Sequence, residues 1–357
     1  MDLPPTQSRK FIYADDNAIA YQAKTFIELQ KKLNEDLITM SKYFKNWLLR
    51  PNPGKTVHCL FHLNNHQANR KLDLTMNGIT VEYVANPLYL GNSLDRSLTN
   101  RANAERIKSK LKPRVNLIQK LAGSTWGCSA KTLRTTAQAM ILPVAEYCAP
   151  VWMESCHVNK IDTQINCALR IVAGVVDPTE VEWLYILSNI APPHIRRQEA
   201  ALKECKKIEA DTELPLHTDI ESAPATLRLR SRNPFWRFYQ ERHNLADLQT
   251  RRNEWWQQVT VANKQLIESP TKEVKGLELP RHIWLRMNRF RTGQGCCAFL
   301  MHRWEFVEYP LCECGAIQTM DHLLTQCPIY RFSGRLTDIH EATDEALAWL
   351  NGLGVNV

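Results

Sequence analysis

Apolar and polar residues alternate with a period of two from Phe11 to Tyr21 (FIYADDNAIAY), around the turn-forming centre Asp15-Asp16-Asn17. The pattern predicts a β-hairpin with both acids at or near its tip. From Lys24 to Trp47 the period changes: Phe26, Leu29, Leu33, Leu37, Met40, Phe44 and Trp47 recur at spacings of three and four, which predicts an amphipathic helix. The breaker cluster Pro51-Asn52-Pro53-Gly54 ends it. Val57 to Leu63 and Leu72-Asp73-Leu74 then have strand character, Met76-Asn77-Gly78 is a turn into a strand from Ile79 to Val84, and Leu88-Tyr89-Leu90-Gly91 is one more short strand. Residues 1–95 are expected to form a mostly antiparallel sheet with one long helix on a face.

Beyond Leu98 the pattern turns helical, with segments at residues 100–122, 130–153, 157–173 and 195–208, broken by Pro178, Pro192 and Pro193. Residues 209–270 mix prolines, acids and isolated aromatics such as Trp236, Trp255 and Trp256, and the pattern assigns no firm fold there. Order returns at His282 to Arg291, before a cluster of cysteines and a histidine. The fold class is α+β, and no internal repeat is visible.

Length and composition narrow the class. A chain of 357 residues with 44% apolar and 23% charged residues can bury a real core and build roughly one to three domains. Its net charge of +8 is uneven. Arg101 to Lys120 sets seven basic residues against Glu105 alone, Thr226 to Arg252 sets seven against Glu241 and Asp247, and Arg281 to Arg303 holds five arginines and no acid. Such clusters point to a polyanion, nucleic acid above all, or form solvated helix faces. Eleven cysteines, an odd number scattered mostly singly and without an N-terminal signal segment, argue against a secreted disulfide framework. Cys59, Cys148, Cys167 and Cys205 are expected to be inert core thiols. The longest apolar run, Ala137 to Met153, contains Pro143, Glu146 and Pro150; it is too short and too interrupted to span a bilayer.

Two constellations could carry chemistry. Adjacent acids between short strands are how nucleotidyl-transferring polymerases present carboxylates to magnesium, and a two-metal transfer holds its ions about 3.5–4 Å apart. Successive side chains on a flat strand point to opposite faces, so Asp15 is the expected direct ligand and Asp16 the weaker one, unless Asp-Asp-Asn is simply turn chemistry. The second is Cys312-Glu313-Cys314-Gly315 with His322 and Cys327, a C-x-C-x7-H-x4-C spacing. Three thiolates and one imidazole make a closed tetrahedral set for structural Zn2+, the alternative being free core cysteines. The preceding basic stretch, with Trp284 or Trp304 for stacking, is a candidate hold on an RNA or DNA strand.

Several of these motifs in this order resemble the C-terminal half of a non-LTR retrotransposon reverse transcriptase of the jockey-like kind. Phe11-Ile12-Tyr13-Ala14-Asp15-Asp16 is similar to that family's catalytic palm motif; Leu33-Asn34-Glu35-Asp36-Leu37 leading into Trp47, and Asn52-Pro53-Gly54-Lys55-Thr56, are similar to its next helix and lysine-bearing loop. Tyr89-Leu90-Gly91 with Leu94-Asp95 resembles the strand pair that grips the primer, the helical stretch ending Pro192-Pro193-His194-Ile195-Arg196-Arg197 its thumb and following segment, and Arg291-Thr292-Gly293 the stretch before a terminal Cys/His cluster. The likeness covers residues 2–200 and 282–328.

The resemblance implies a palm remnant at residues 1–95, a helical thumb at 96–208, a variable linker at 209–270 and a basic, zinc-knuckle-like segment at 271–357. It implies Mg2+ on Asp15 and Asp16, Lys55 near the phosphates of the incoming nucleotide, Tyr13 at the primer end or template, and Tyr89, Leu90 and Gly91 on the primer backbone. Lys108, Lys110, Lys112 and Arg114 are the expected nucleic-acid contacts of the thumb, and an RNA template and DNA primer the expected partners. In the family, the fingers and the first catalytic aspartate lie upstream of the position of Phe11, before which this sequence has ten residues, so the chain alone is expected not to polymerise DNA. An incomplete palm sheet is expected to favour self-association through its exposed edge. The other readings are a non-catalytic nucleic-acid-binding module and an inert insertion remnant. An intracellular site, nuclear or cytoplasmic, is expected.

Overall fold

The computed structural model describes residues 3–123, 126–222, 235–355 and 357. It divides into two units, Met1–Arg106 and Ile107–Val357.

In the first unit β1 (Arg9–Tyr13) and β2 (Asp16–Ala20) pair antiparallel in the register Tyr13 with Asp16, leaving Ala14 and Asp15 as the turn. Helix α1 (Phe26–Asn46) starts where the Thr25 hydroxyl accepts the Glu28 N–H, a side-chain cap for an otherwise orphaned donor. It follows the period read from the sequence: Leu37 is buried with Leu60, Leu72, Leu74, Met76 and Val81, while Phe26, Leu29, Leu33 and Phe44 pack against them. The rest of the unit is β3 (Val57–His58), β4 (Thr75–Met76), β5 (Ile79–Thr80), β6 (Glu82–Tyr83), β7 (Leu88–Tyr89) and β8 (Asn92–Ser93). Here the expectation of one mostly antiparallel sheet fails. Among the described residues the strands form four separate two-stranded pairs, and β3 with β6 is parallel. The long strand expected from Ile79 to Val84 breaks at Val81, which turns inward to be buried and donates its N–H to Leu74 O at 2.8 Å. Leu72 and Leu74 are buried from an irregular segment, not a strand. That segment takes its hydrogen bonds from α1 side chains: Asn34 donates to Asp73 O and accepts the Thr75 N–H, and Gln30 accepts the Asp73 N–H.

Helix α2 (Arg101–Leu121) runs across the division between the units, and α3 (Ala130–Met140), α4 (Leu142–Ala145), α5 (Ala149–Trp152), α6 (Asn159–Ala173), α7 (Val181–Leu187) and α8 (Pro193–Ala210) follow. Pro143 and Pro150 cut the helix expected at residues 130–153 into three, because a proline without an N–H suits a first turn and not a helix interior. Three buried or half-buried ion pairs tie this bundle: Arg196 to Glu146, Arg197 to Asp162, and Arg251 to Glu199. The described part of residues 209–270, which the pattern left unassigned, holds α9 (Pro215–Glu221), α10 (Phe235–Glu241) and α11 (Leu248–Gln258). Residues 226–234 of the basic tract from Thr226 to Arg252 lie outside the described residues.

The C-terminal part comprises α12 (Arg281–Thr292), α13 (Ala298–Arg303), a π-helical turn at His322–Gln326, α14 (Leu336–His340) and α15 (Asp344–Gly352). Its core gathers Ile283, Met287 and Phe290 of α12 with Cys312, Leu323, Cys327, Ile339 and Leu350. Among the described residues no helix is long and apolar enough to cross a membrane.

Candidate functional site

Asp15 and Asp16 stand at the hairpin tip, both exposed. Because Asp16 is paired across from Tyr13 and Asp15 occupies the turn, the two carboxylates are neighbours outside any regular alternation. Tyr13 is 66% exposed beside them. Among the described residues no third acid, histidine or cysteine comes within metal-sharing reach of this pair. Lys55 ends a short helical turn on the surface, and among the described residues it makes no ion pair with either aspartate. Tyr89 closes β7, and Leu90 and Gly91 form the β7–β8 turn, where Gly91 O accepts from the Arg106 guanidinium.

The unit is braced by an acid whose contacts the sequence pattern did not reveal. Asp36, buried on α1, accepts the N–H of Gln7 at 2.9 Å, the N–H of Ser8 at 2.7 Å and the Ser8 hydroxyl at 2.5 Å. It therefore fixes the segment that enters β1 and leads to the Asp15–Asp16 tip. An acid interrupting the apolar stripe of a helix was the available signal.

On α2, residues two apart lie on opposite sides. Lys108 and Lys112 share one exposed edge, whereas Lys110 and Arg114 share another, with Arg114 donating to Lys110 O at 2.5 Å. None of the four has an ion-pair partner among the described residues, so α2 carries cations on two opposite sides.

The Cys/His constellation comes together. One ligand atom from each of Cys312, Cys314, His322 and Cys327 lies within 4.8 Å of every other, and among the described residues they are the one such group of three or more His, Cys, Asp or Glu. The sulfurs of Cys312 and Cys327 are 3.7 Å apart, and Cys314 Sγ is 3.2 Å from His322 Nε2. Thiolates bound tetrahedrally to zinc at about 2.3 Å stand about 3.8 Å from each other. A tight turn makes the first half: Gly315 N–H donates to Cys312 O at 2.8 Å and Cys312 N–H to Ala316 O at 2.7 Å, so Cys314 folds back beside Cys312. The π-helical turn makes the second, since Cys327 N–H reaches His322 O at 2.8 Å and brings residues five apart to one side. Burial pushes the Cys312 thiol up, but hydrogen bonds from the Cys314 N–H, His322, Gln318 and Cys327 outweigh it and bring the thiol down to about 7. Cys314 moves the other way: the Ala316 N–H favours its thiolate, yet burial and the neighbouring Cys312 and Cys327 sulfurs leave it raised. Crowded thiols that cannot all ionise together are a donor set that a divalent cation completes.

The basic stretch before this cluster does not present the strand-binding face expected of it. Trp284 is fully buried and its indole N–H donates to Val172 O at 3.0 Å. Arg281 donates to Ile171 O and Val172 O, Asn288 to Ala173 O at 2.8 Å, and Arg289 to Gly174 O at 3.3 Å. The last carbonyls of a helix have no partners within it and carry negative partial charge. The polar side of α12 supplies those partners to α6. Burial, opposed by the Glu341 charge, draws Arg291 down to about 9 and, aided by the nearby Arg289 charge, draws Arg281 to about 10. Trp304 is half-buried and packs against the C-terminal core. Of the four expected core thiols, Cys205 is buried and the other three are half-buried; burial raises Cys59 and Cys205 to about 11.

No family model matches the chain, and no solved structure matches it. Among curated proteins it is 24% identical over 170 residues to "Probable RNA-directed DNA polymerase from transposon BS" of Drosophila melanogaster, 47% of this chain and 19% of that protein. It is 24% identical over 272 residues to the Pol polyprotein from type-1 retrotransposable element R1 4 of Nasonia vitripennis, 73% of this chain and 65% of that protein. With the Pol polyprotein from element R1 of Bradysia coprophila the identity is 21% over 334 residues, 89% of this chain and 31% of that protein. The chain thus spans less than two thirds of each of these three relatives, and it resembles retrotransposon RNA-directed DNA polymerases and Pol polyproteins.

Proposed function

We propose that this chain is the C-terminal portion of a non-LTR retrotransposon RNA-directed DNA polymerase, with a palm remnant at residues 1–95, a thumb at 96–208, a connecting segment at 209–270 that carries α9, α10 and α11, and a zinc module at 271–357. The observation that carries this reading is the Tyr13-Ala14-Asp15-Asp16 hairpin tip in a chain whose similarity to an R1 Pol polyprotein runs over 89% of its length. Asp15 and Asp16 would each offer Mg2+ a carboxylate oxygen, and the ion would supply charge stabilisation for nucleotidyl transfer. Two exposed carboxylates are an incomplete cage, however, and the described residues add no third. On this reading the chain binds a primer–template hybrid through α2 but does not itself extend the primer. Lys55 would neutralise phosphate charge on a nucleotide held in the complete polymerase.

The Cys/His cluster is better formed than the Asp15–Asp16 tip. Cys312, Cys314, His322 and Cys327 fit Zn2+ in ligand type, number and spacing, and two of the four belong to the hydrophobic core. A closed set of four protein ligands has a structural role. Primer extension on an RNA template with Mg2+ and deoxynucleotides tests the catalytic side: no incorporation is expected from the chain alone. Incorporation that disappears in Asp15→Asn would instead place complete chemistry within these residues.

A further inference from the structure

One exposed tryptophan stands at the end of the cationic edge of α2. Between Arg106 and Ala145 the sequence contains no acid. Of the cations in that interval, Lys131 and Arg134 are engaged by Glu278 and Glu273, whereas Lys108, Lys112 and Lys120 are exposed and have no ion-pair partner among the described residues. At about 100° per residue, Lys108, Lys112 and Gln119 share one edge of the helix, and position 123 would continue it. Gly123 occupies that position, and the ring of Trp126 lies on it. A Cβ at 123 would stand 2.6, 2.6 and 2.7 Å from the indole atoms Cε2, Nε1 and Cδ1. Near-equal distances to three consecutive ring atoms put the glycine under the face of the ring, not against its edge. No other residue leaves room for the ring to lie there. Nearby, Cys128 N–H donates to Leu121 O at 2.9 Å and Ala122 is bridged to Gly127. One indole face is thereby seated on backbone. The side chain is nevertheless 64% exposed, so its other face is open to solvent.

We propose that Trp126 is a stacking platform for an unpaired base of a single-stranded nucleic acid whose phosphates follow Lys108 and Lys112 along α2. The inference rests on the nucleic-acid reading of α2 and adds to it the residue that holds a base. A duplex would satisfy the lysines equally well but keeps its bases stacked internally. A single strand offers a free π-face to a flat ring already seated on one side, and such stacking tolerates any base.

The test titrates the full chain with a fluorescein-labelled single strand of oligothymidylate and with an oligomer of equal length in which the bases are abasic. Trp126→Ala is expected to bind oligothymidylate roughly 5- to 100-fold more weakly. Its affinity for the abasic strand and its slope of log K against log salt should not change, and Trp126→Phe should recover most of the loss. Lys108→Ala with Lys112→Ala should flatten that slope by about 1.4, the loss of two phosphate contacts on a single strand. Wild-type affinity of Trp126→Ala for oligothymidylate overturns the proposal, as does equal weakening on both strands, which would mark a merely structural tryptophan. If the unmodified chain binds neither strand at low salt, the nucleic-acid reading falls and the stacking role with it.

Discussion

Arg197 is 4% exposed, with one guanidinium nitrogen 2.5 Å from one carboxylate oxygen of Asp162 and the other 3.0 Å from the second. Removing one partner of such a pair strands a buried charge. Asp162→Ala, which leaves the Arg197 guanidinium without its partner, should therefore lower stability by about 3–5 kcal/mol in denaturant unfolding, while replacing both partners by apolar residues of similar size should cost far less. Equal losses would show that the pair contributes packing and no charge. His340 makes a second residue-scale prediction. Burial, then the nearby Arg291 charge, hold it down to about 4, against weaker opposition from Glu341. Between pH 6.5 and 4 the unfolded chain binds a proton that the folded chain refuses, so stability falls on acidification through that window by up to about 3 kcal/mol. His340→Gln should flatten the pH profile there, and an unchanged profile would assign the loss to other groups. At this scale the sequence was only partly legible. The Asp15–Asp16 tip followed from alternation and turn chemistry. The contacts of Asp36 did not, because a buried acid that accepts three hydrogen bonds from residues 7 and 8 has the same letter as a solvated one.

Helices were the most legible elements. The stripe from Phe26 to Phe44 gives α1 nearly to its ends, since only a helical backbone brings a period near 3.6, sustained over five turns, to one face. Strands were less so. The apolar runs near Leu60 and Leu72 are buried as the pattern implies, but they fill the space under α1 from irregular backbone whose hydrogen bonds come from Gln30 and Asn34. The basic face of α12 was illegible for a different reason. Its arginines look like a polyanion footprint until the carbonyl end of α6 appears against them, and a carbonyl terminus leaves no mark in composition. That contact also depends on Gly174, which caps α6 at φ +69° with a potential Cβ 2.5 Å from Leu285. Gly174→Ala should destabilise the second unit by about 1–3 kcal/mol through backbone strain and overpacking. Thermal unfolding checks this, and a neutral effect would mean that α12 can move away at little cost.

In the second unit α12 does two jobs at once. Ile283, Met287 and Phe290 enter the core that contains Cys312 and Cys327, while Arg281, Trp284 and Asn288 cap α6. Metal loading should therefore be felt beyond its ligands. One zinc per chain is expected by elemental analysis, and chelation should speed amide exchange in residues 281–357 and in the last turn of α6. Exchange confined to the immediate surroundings of Cys312–Cys327 would show that the cluster is an isolated appendage. The uneven distribution of the +8 net charge was legible in the sequence, but which of its clusters faces solvent was decided by packing: the arginines of α12 are largely internal and the lysines of α2 are not. That contrast concentrates the nucleic-acid reading on α2. Titration of the full chain with an RNA–DNA hybrid across a range of salt concentrations tests it most directly. Tight binding at low salt is expected, with a log–log slope steeper than about −2 that flattens by about 1.8 when Lys108 and Lys112 are both changed to alanine. Absent binding, or a slope those two substitutions leave untouched, would contradict it.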